Sequence, residues 1–74
     1  MAKKTIEVSY RVFDEQGRSE WITECYPKTV ARAKAIALKL SLKYYESDVI
    51  VENEMGDIVL HDIYKDGKLE ISMM

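Results

Sequence analysis

One segment of this 74-residue chain has the features of a helix, and the segments on both sides of it alternate as strands do. Residues 30–44 contain no glycine or proline and are rich in alanine, leucine and lysine, which favour helices. Thr29 directly precedes them and is suited to be the N-cap, while Pro27 ends the segment before. A single helix of this length cannot bury its apolar side alone. It must therefore pack on a sheet formed by the flanking segments.

Apolar and polar side chains alternate with a period of two in five segments, which predicts five strands. The predicted strands are residues 5–13, 18–26, 48–53, 58–65 and 68–73. The pair Asp66-Gly67 is typical of a two-residue hairpin turn. In the second strand the alternation leaves open whether Trp21 or Ile22 faces inward. We predict a single domain over residues 1–74, an α+β two-layer sandwich in which one helix packs on an antiparallel sheet of about five strands, in the order β-β-α-β-β-β.

The residue types needed for most catalytic or metal sites are scarce. The chain has one cysteine and one histidine, too few for an internal disulfide or a Cys/His zinc site. Its three glycines lie in separate turns and form no phosphate-binding loop. We expect Cys25 to fill space in the core and His61 to face solvent from a strand. The sequence therefore predicts a binding protein without catalytic activity, cofactor or metal.

Charge is distributed unevenly along the chain. Residues 28–43 carry five basic side chains and no acid, whereas residues 46–70 carry eight acids and two lysines. Such asymmetry is informative about partners even though the net charge is only −2. The first residues lack the apolar run of a signal peptide, and no apolar stretch predicts a membrane span. With a single cysteine, this pattern predicts a cytoplasmic protein that does not enter a membrane.

The helix carries more apolar surface than one sheet face covers. At about 100° per residue, one broad stripe forms the predicted core face: Val30, Ala33, Ile36, Ala37, Leu40 and Tyr44. A second apolar patch of Ala31, Ala35, Leu38 and Leu42 is predicted largely opposite the core, beyond a stripe of Lys28, Arg32, Lys39 and Lys43. The predicted partner-binding residues are Arg32, Lys34, Leu38, Lys39, Leu42 and Lys43.

Several uses of these surfaces remain open. Leu38 and Leu42 either pack under the loop that leads to Asp48 or contact a partner, which includes a second copy of the chain in a homodimer. The cations either remain solvated or bind nucleic-acid phosphates. Alternatively, the acidic strands bind a basic groove that normally holds nucleic acid, with carboxylates in place of phosphates. The uncovered face of the sheet is a further possible docking surface.

Two short stretches and the order of elements resemble a known family. The stretches are Ala33-Lys34-Ala35-Ile36-Ala37 in the helix and Tyr64-Lys65-Asp66-Gly67-Lys68 in the last hairpin, which is one residue shorter here. In both, the chain resembles a small phage-encoded protein of the type I-F anti-CRISPR group. The resemblance covers the whole chain by element order and about ten positions by identity. It implies an inhibitor in the host cell cytoplasm that sits on a CRISPR surveillance complex and interferes with its DNA-binding surface.

Three functions follow as hypotheses. The first is a phage or mobile-element binding protein that inhibits a host nucleoprotein complex by docking on its surface. The second is a small nucleic-acid-associated regulatory module that uses the basic helix face. The third is a self-associating structural protein.

Overall fold

The computed structural model describes residues 4–73, and it confirms the predicted order of one helix and five strands. The elements are β1 (Thr5–Phe13), β2 (Ser19–Cys25), α1 (Val30–Lys43), β3 (Glu46–Glu52), β4 (Ile58–Lys65) and β5 (Lys68–Met73). The five strands form one antiparallel sheet in the order β2-β1-β3-β4-β5, with α1 packed against it. The connection through α1 places β3 beside β1, so the N-terminal hairpin and the C-terminal meander join at the centre of the sheet.

Small side chains of the helix pack directly on the central strands. Ala33 and Ala37 are fully buried, and they lie against valines from β1 and β3. Alanine lets the helix approach the sheet closely, so the core is thin and densely packed. The buried apolar residues are Ile6, Val8, Ala33, Ala37, Val49, Val51 and Tyr64.

The helix buries most of the predicted core stripe and two further side chains. Ala33 and Ala37 are buried, and Val30, Ile36 and Leu40 pack partly against the core as predicted. Leu38 is partly buried against the core, so the expectation that it lies opposite the core is wrong. Leu42, one turn further on, is exposed as predicted. Ser41 is buried although its polarity excluded it from the predicted core stripe. The core stripe is thus centred closer to Leu38 than the apolar residues alone indicated.

Ser41 can be buried because its hydroxyl both donates and accepts a hydrogen bond. It donates to the carbonyl of Leu38 at 2.7 Å and accepts the backbone N–H of Gly67 at 2.8 Å. Gly67 and Asp66 both have positive φ, as the two-residue turn between β4 and β5 requires. The end of the helix and the last hairpin turn are therefore hydrogen-bonded to each other.

A bulge in β2 decides which side chains face the helix. Ser9 pairs with Thr23 but Val8 pairs with Cys25, so Glu24 is an extra residue without a partner on β1. Cys25 therefore turns toward the helix side and packs against the core, as expected for the thiol. Trp21 and Thr23 remain on the opposite face. A strict period of two would place Cys25 on the same face as Trp21 and Thr23, and the bulge is the reason that it lies on the other face.

A carboxylate lies buried under the helix. Asp62 on β4 is 1% exposed, and its oxygens accept hydrogen bonds from the hydroxyls of Tyr64, at 3.0 Å, and Ser72, at 2.6 Å. The ammonium of Lys34 lies 3.7 Å away. Burial and the adjacent Asp62 raise the pKa of Tyr64, which keeps its hydroxyl protonated as a donor. This cluster joins α1, β4 and β5.

Candidate functional site: the open face of the sheet

One face of the sheet has no second layer over it among residues 4–73, and we call it the open face. Alternation directs every second residue of each strand there. Three of its large apolar side chains, Trp21, Ile71 and Met73, are 43–50% exposed. Ile71 lies opposite Ile63, and Met73 lies opposite His61. The open face is therefore an apolar surface, of the kind that partners cover.

A groove of about 400 Å³ runs across the middle of the open face. Its lining is Glu7, Ser9, Trp21, Thr23, Asp48, Ile50, His61 and Ile63. Two carboxylates, one imidazole and one indole thus border the same depression, and neither lysine nor arginine is among these eight residues. The groove combines apolar walls with acidic groups, an arrangement common in binding sites.

The register of the central strands brings these side chains together. Ser9 of β1 lies opposite Asp48 of β3, and Asp48 lies opposite Ile63 of β4. His61 lies opposite Ile50, two residues along β3, so the imidazole reaches Asp48 diagonally. The distance from Nε2 of His61 to Oδ2 of Asp48 is 3.2 Å.

Asp48 is the unusual residue of the groove. It is 5% exposed although it lies on an uncovered face. Its Oδ1 is buried and has no hydrogen-bond partner among the residues that the structure describes. Burial raises the pKa of Asp48, and the charge of Glu7 adds to this effect, while hydrogen bonds from His61 and from the backbone of Ser9 oppose it. A buried acceptor without a donor is costly, by about 1–3 kcal/mol.

Glu7 and Trp21 also line the groove. The hydroxyl of Thr23 donates to Oε2 of Glu7 at 2.6 Å, which fixes this carboxylate at the groove wall. Trp21 lies on the edge strand next to Thr23, with its indole exposed in part. The groove therefore offers one aromatic ring and two carboxylates.

The nearest arginine on this face is held by other groups. Arg11 forms an ion pair with Glu46 at 2.7 Å and donates to the hydroxyl of Ser19 at 3.0 Å. Its guanidinium also lies 5.1 Å from the centre of the Phe13 ring. These contacts keep the positive charge of Arg11 at the end of the sheet. Arg11 is not among the residues that line the groove, although it lies opposite Trp21 in the sheet.

The six residues predicted to bind a partner do not form one surface. Arg32, Lys39 and Lys43 are exposed on the side of α1 that faces away from the sheet, whereas Leu42 is exposed beside Gly67 in the last hairpin turn. Lys34 instead reaches the buried Asp62, and Leu38 packs partly against the core. The cations Arg32, Lys39 and Lys43 form no ion pair within residues 4–73. Partner binding by these residues stays a prediction, with Lys34 and Leu38 already engaged by the fold.

Sequence reasoning placed His61 on the open face but missed the groove. The alternation of β3 places Asp48 on the face opposite to Val49. The alternation of β4 places His61 on the face opposite to Leu60. Both side chains could thus have been assigned to one face. Their contact could not, since it depends on the pairing register of β3 with β4.

Comparison of the chain with protein-family models, with curated proteins and with solved structures gave no match. Within residues 4–73, no group of three or more His, Cys, Asp and Glu side chains is placed to hold a metal ion. The one helix described is too short and too polar to cross a membrane. The geometry of the surfaces is therefore the basis for a functional proposal.

The raised pKa of Asp48 gives a prediction for stability against pH. The folded state holds the Asp48 proton more tightly than the unfolded state, so stability falls as pH rises from the ordinary aspartate pKa through the raised one. Asp48→Asn removes this titration. As pH rises between those two pKa values, we expect the thermal midpoint of Asp48→Asn to rise relative to that of the wild type. Calorimetric scans at a series of pH values measure it.

The matched control is Asp57→Asn, because Asp57 is exposed in the turn before β4. It removes the same charge from the chain without touching the groove. If the thermal midpoints of the wild type and of Asp48→Asn change with pH in the same way, ionising Asp48 does not carry the proposed cost.

Proposed function

We propose that this chain is a binding protein that inhibits a nucleoprotein complex by docking its open face on a basic protein surface. The observation that carries the proposal is the open face itself. It exposes Trp21, Ile71 and Met73 without a covering layer and sets Glu7 and Asp48 between them. Large aromatic and aliphatic side chains around a few fixed polar groups are typical of the centre of an interface.

The charge of this face suggests how inhibition works. A protein surface that holds nucleic acid is lined with lysine and arginine, which neutralise phosphates. Carboxylates presented on a rigid sheet can occupy such a surface in place of phosphates, and the apolar residues around them supply the contact area. The resemblance to type I-F anti-CRISPR proteins points to the same class of target, a DNA-binding surveillance complex.

The test is binding to a purified type I-F surveillance complex, measured by biolayer interferometry with the complex immobilised. We expect the wild-type chain to bind, and we expect prior loading of the complex with target DNA to block it. Trp21→Ala should weaken binding about 30-fold, because a central aromatic contributes about 2 kcal/mol or more to an interface. Lys39→Ala, on the exposed side of α1, should bind as the wild type does.

Trp21 is partly exposed on an edge strand, so Trp21→Ala should remain folded, which a thermal melt followed by circular dichroism checks. Absence of wild-type binding would overturn the proposal. So would the reverse pattern, in which Lys39→Ala loses binding and Trp21→Ala keeps it. That pattern would favour the basic helix face, whose unpaired cations suit a phosphate backbone.

A further inference from the structure

We infer that the groove on the open face is a receptor for one guanidinium group, namely an arginine side chain of the docked protein. The inference rests on the proposed function, because it specifies which chemical group of the partner the open face recognises. The groove presents two carboxylates, an indole and no competing cation from lysine or arginine.

One oxygen of Asp48 has no hydrogen-bond partner among the described residues. The side chain of Asp48 is 8% exposed, lines the groove and leaves Oδ1 without a donor. The other oxygen, Oδ2, already interacts with His61. Such a buried acceptor is costly in the free protein, and a donor supplied by a ligand would remove that cost. Oδ1 of Asp48 therefore lacks a hydrogen-bond donor, and a positively charged donor satisfies it best.

Glu7 and Trp21 line the same groove as Asp48. Thr23 holds the carboxylate of Glu7 at the wall of the groove, so Glu7 and Asp48 both line it, with neither lysine nor arginine among the eight lining residues. Both carboxylates line the same groove, and the charge of Glu7 contributes to the raised pKa of Asp48. A cation placed between them would relieve this repulsion. Trp21 offers an aromatic face for the same cation.

A guanidinium fits this groove better than an ammonium does. A guanidinium is planar, stacks on an indole and donates hydrogen bonds in several fixed directions. It can therefore contact Trp21 with its face and reach both Asp48 and Glu7 with its edge. An ammonium is a compact charge that cannot stack in this way. The groove volume, about 400 Å³, lies near the lower end of ligand pockets and suits one side chain.

The single tryptophan of the chain makes the inference directly testable. Because Trp21 is the only tryptophan, its fluorescence reports on this groove alone. The probe is Nα-acetyl-arginine amide, titrated into the full chain. Its citrulline counterpart has nearly the same shape without the charge, and its lysine counterpart carries an ammonium. We expect a saturable change in Trp21 emission with the arginine compound and at least about tenfold weaker binding of the other two.

Variants of the carboxylates complete the design. Asp48→Asn and Glu7→Gln should each weaken binding of the arginine compound, whereas Asp57→Asn, in an exposed turn, should leave it unchanged. The nuclear magnetic resonance signals of the single His61 ring should shift on binding in the wild type, because the imidazole shares Asp48 with the ligand.

Two results would overturn the inference. Equal binding of the citrulline compound would mean simple stacking on Trp21, and equal binding of the lysine compound would mean that the groove does not select guanidinium. Either result leaves the docking proposal standing if the wild-type chain binds the surveillance complex and Trp21→Ala binds it more weakly. Conversely, selective arginine binding without docking on that complex would retain the groove and reject the proposed target.

Discussion

Replacing Asp62 with alanine is expected to lower the free energy of unfolding by about 3 kcal/mol. The carboxylate is buried and accepts the hydroxyls of Tyr64 and Ser72, while the ammonium of Lys34 stands 3.7 Å away. The substitution leaves two hydroxyl donors without their acceptor and opens a small cavity, and breaking such buried charged networks typically costs about 3–5 kcal/mol. At about 0.05–0.15 kcal/mol per residue, a chain of this size has little stability to lose.

Urea denaturation followed by circular dichroism measures the effect. Asp62→Asn separates charge from shape, because the amide oxygen still accepts one hydroxyl, and we expect it to lose about half as much as the alanine variant. Glu54→Ala is the matched control, since Glu54 is exposed in the turn between β3 and β4. If Asp62→Ala and Glu54→Ala unfold at the same urea concentration, the buried cluster does not stabilise the fold.

The second large effect is expected from enlarging the contact between helix and sheet. Ala37 is fully buried in the core cluster, and its carbonyl accepts the hydroxyl of the buried Ser47. Ala37→Leu inserts three carbon atoms where the helix lies closest to β3. Overpacking of this kind typically costs about 1–3 kcal/mol, and the rigid sheet places this site at the upper end of that range.

The same helix offers a control of identical chemistry. Ala35 is exposed, so Ala35→Leu adds the same atoms into solvent and should change the unfolding midpoint little. Both variants are compared with the wild type by thermal melting at one pH. A midpoint for Ala37→Leu equal to that of Ala35→Leu would mean that the helix is not pressed against the sheet as the structure describes.

The fold was predictable from sequence because the helix and the strands other than β2 each carried one clear period. The alternation of β1 and β4 set their faces, and the Asp66-Gly67 pair set the last turn, which has positive φ at both residues. The start of β3 at Glu46 was missed, because Tyr44, Tyr45 and Glu46 show no alternation of apolar and polar residues that would mark the beginning of a strand. Element boundaries of this kind depend on tertiary pairing.

The site was only half predictable, for two different physical reasons. Asp62 lies on the same face of β4 as Leu60 and Tyr64, so its place under the helix follows from the strand period. The meeting of Asp48 with His61 does not follow from any period, because it needs the sheet order and the register. The bulge at Glu24, which leaves Trp21 on the open face while Cys25 turns inward, is equally invisible in the alternation.

The order of strands also determines how the molecule opens to solvent. β3 is the central strand and has a neighbour on each side, so its amide protons exchange with water only when the sheet itself separates. β2 and β5 are edge strands, and every residue of β5 is exposed. Half of their amides point outward and exchange early, through fraying that leaves the centre intact. Amide exchange should therefore be slowest at the seam between β1 and β3, where the two halves of the chain join, and fastest at the two edges.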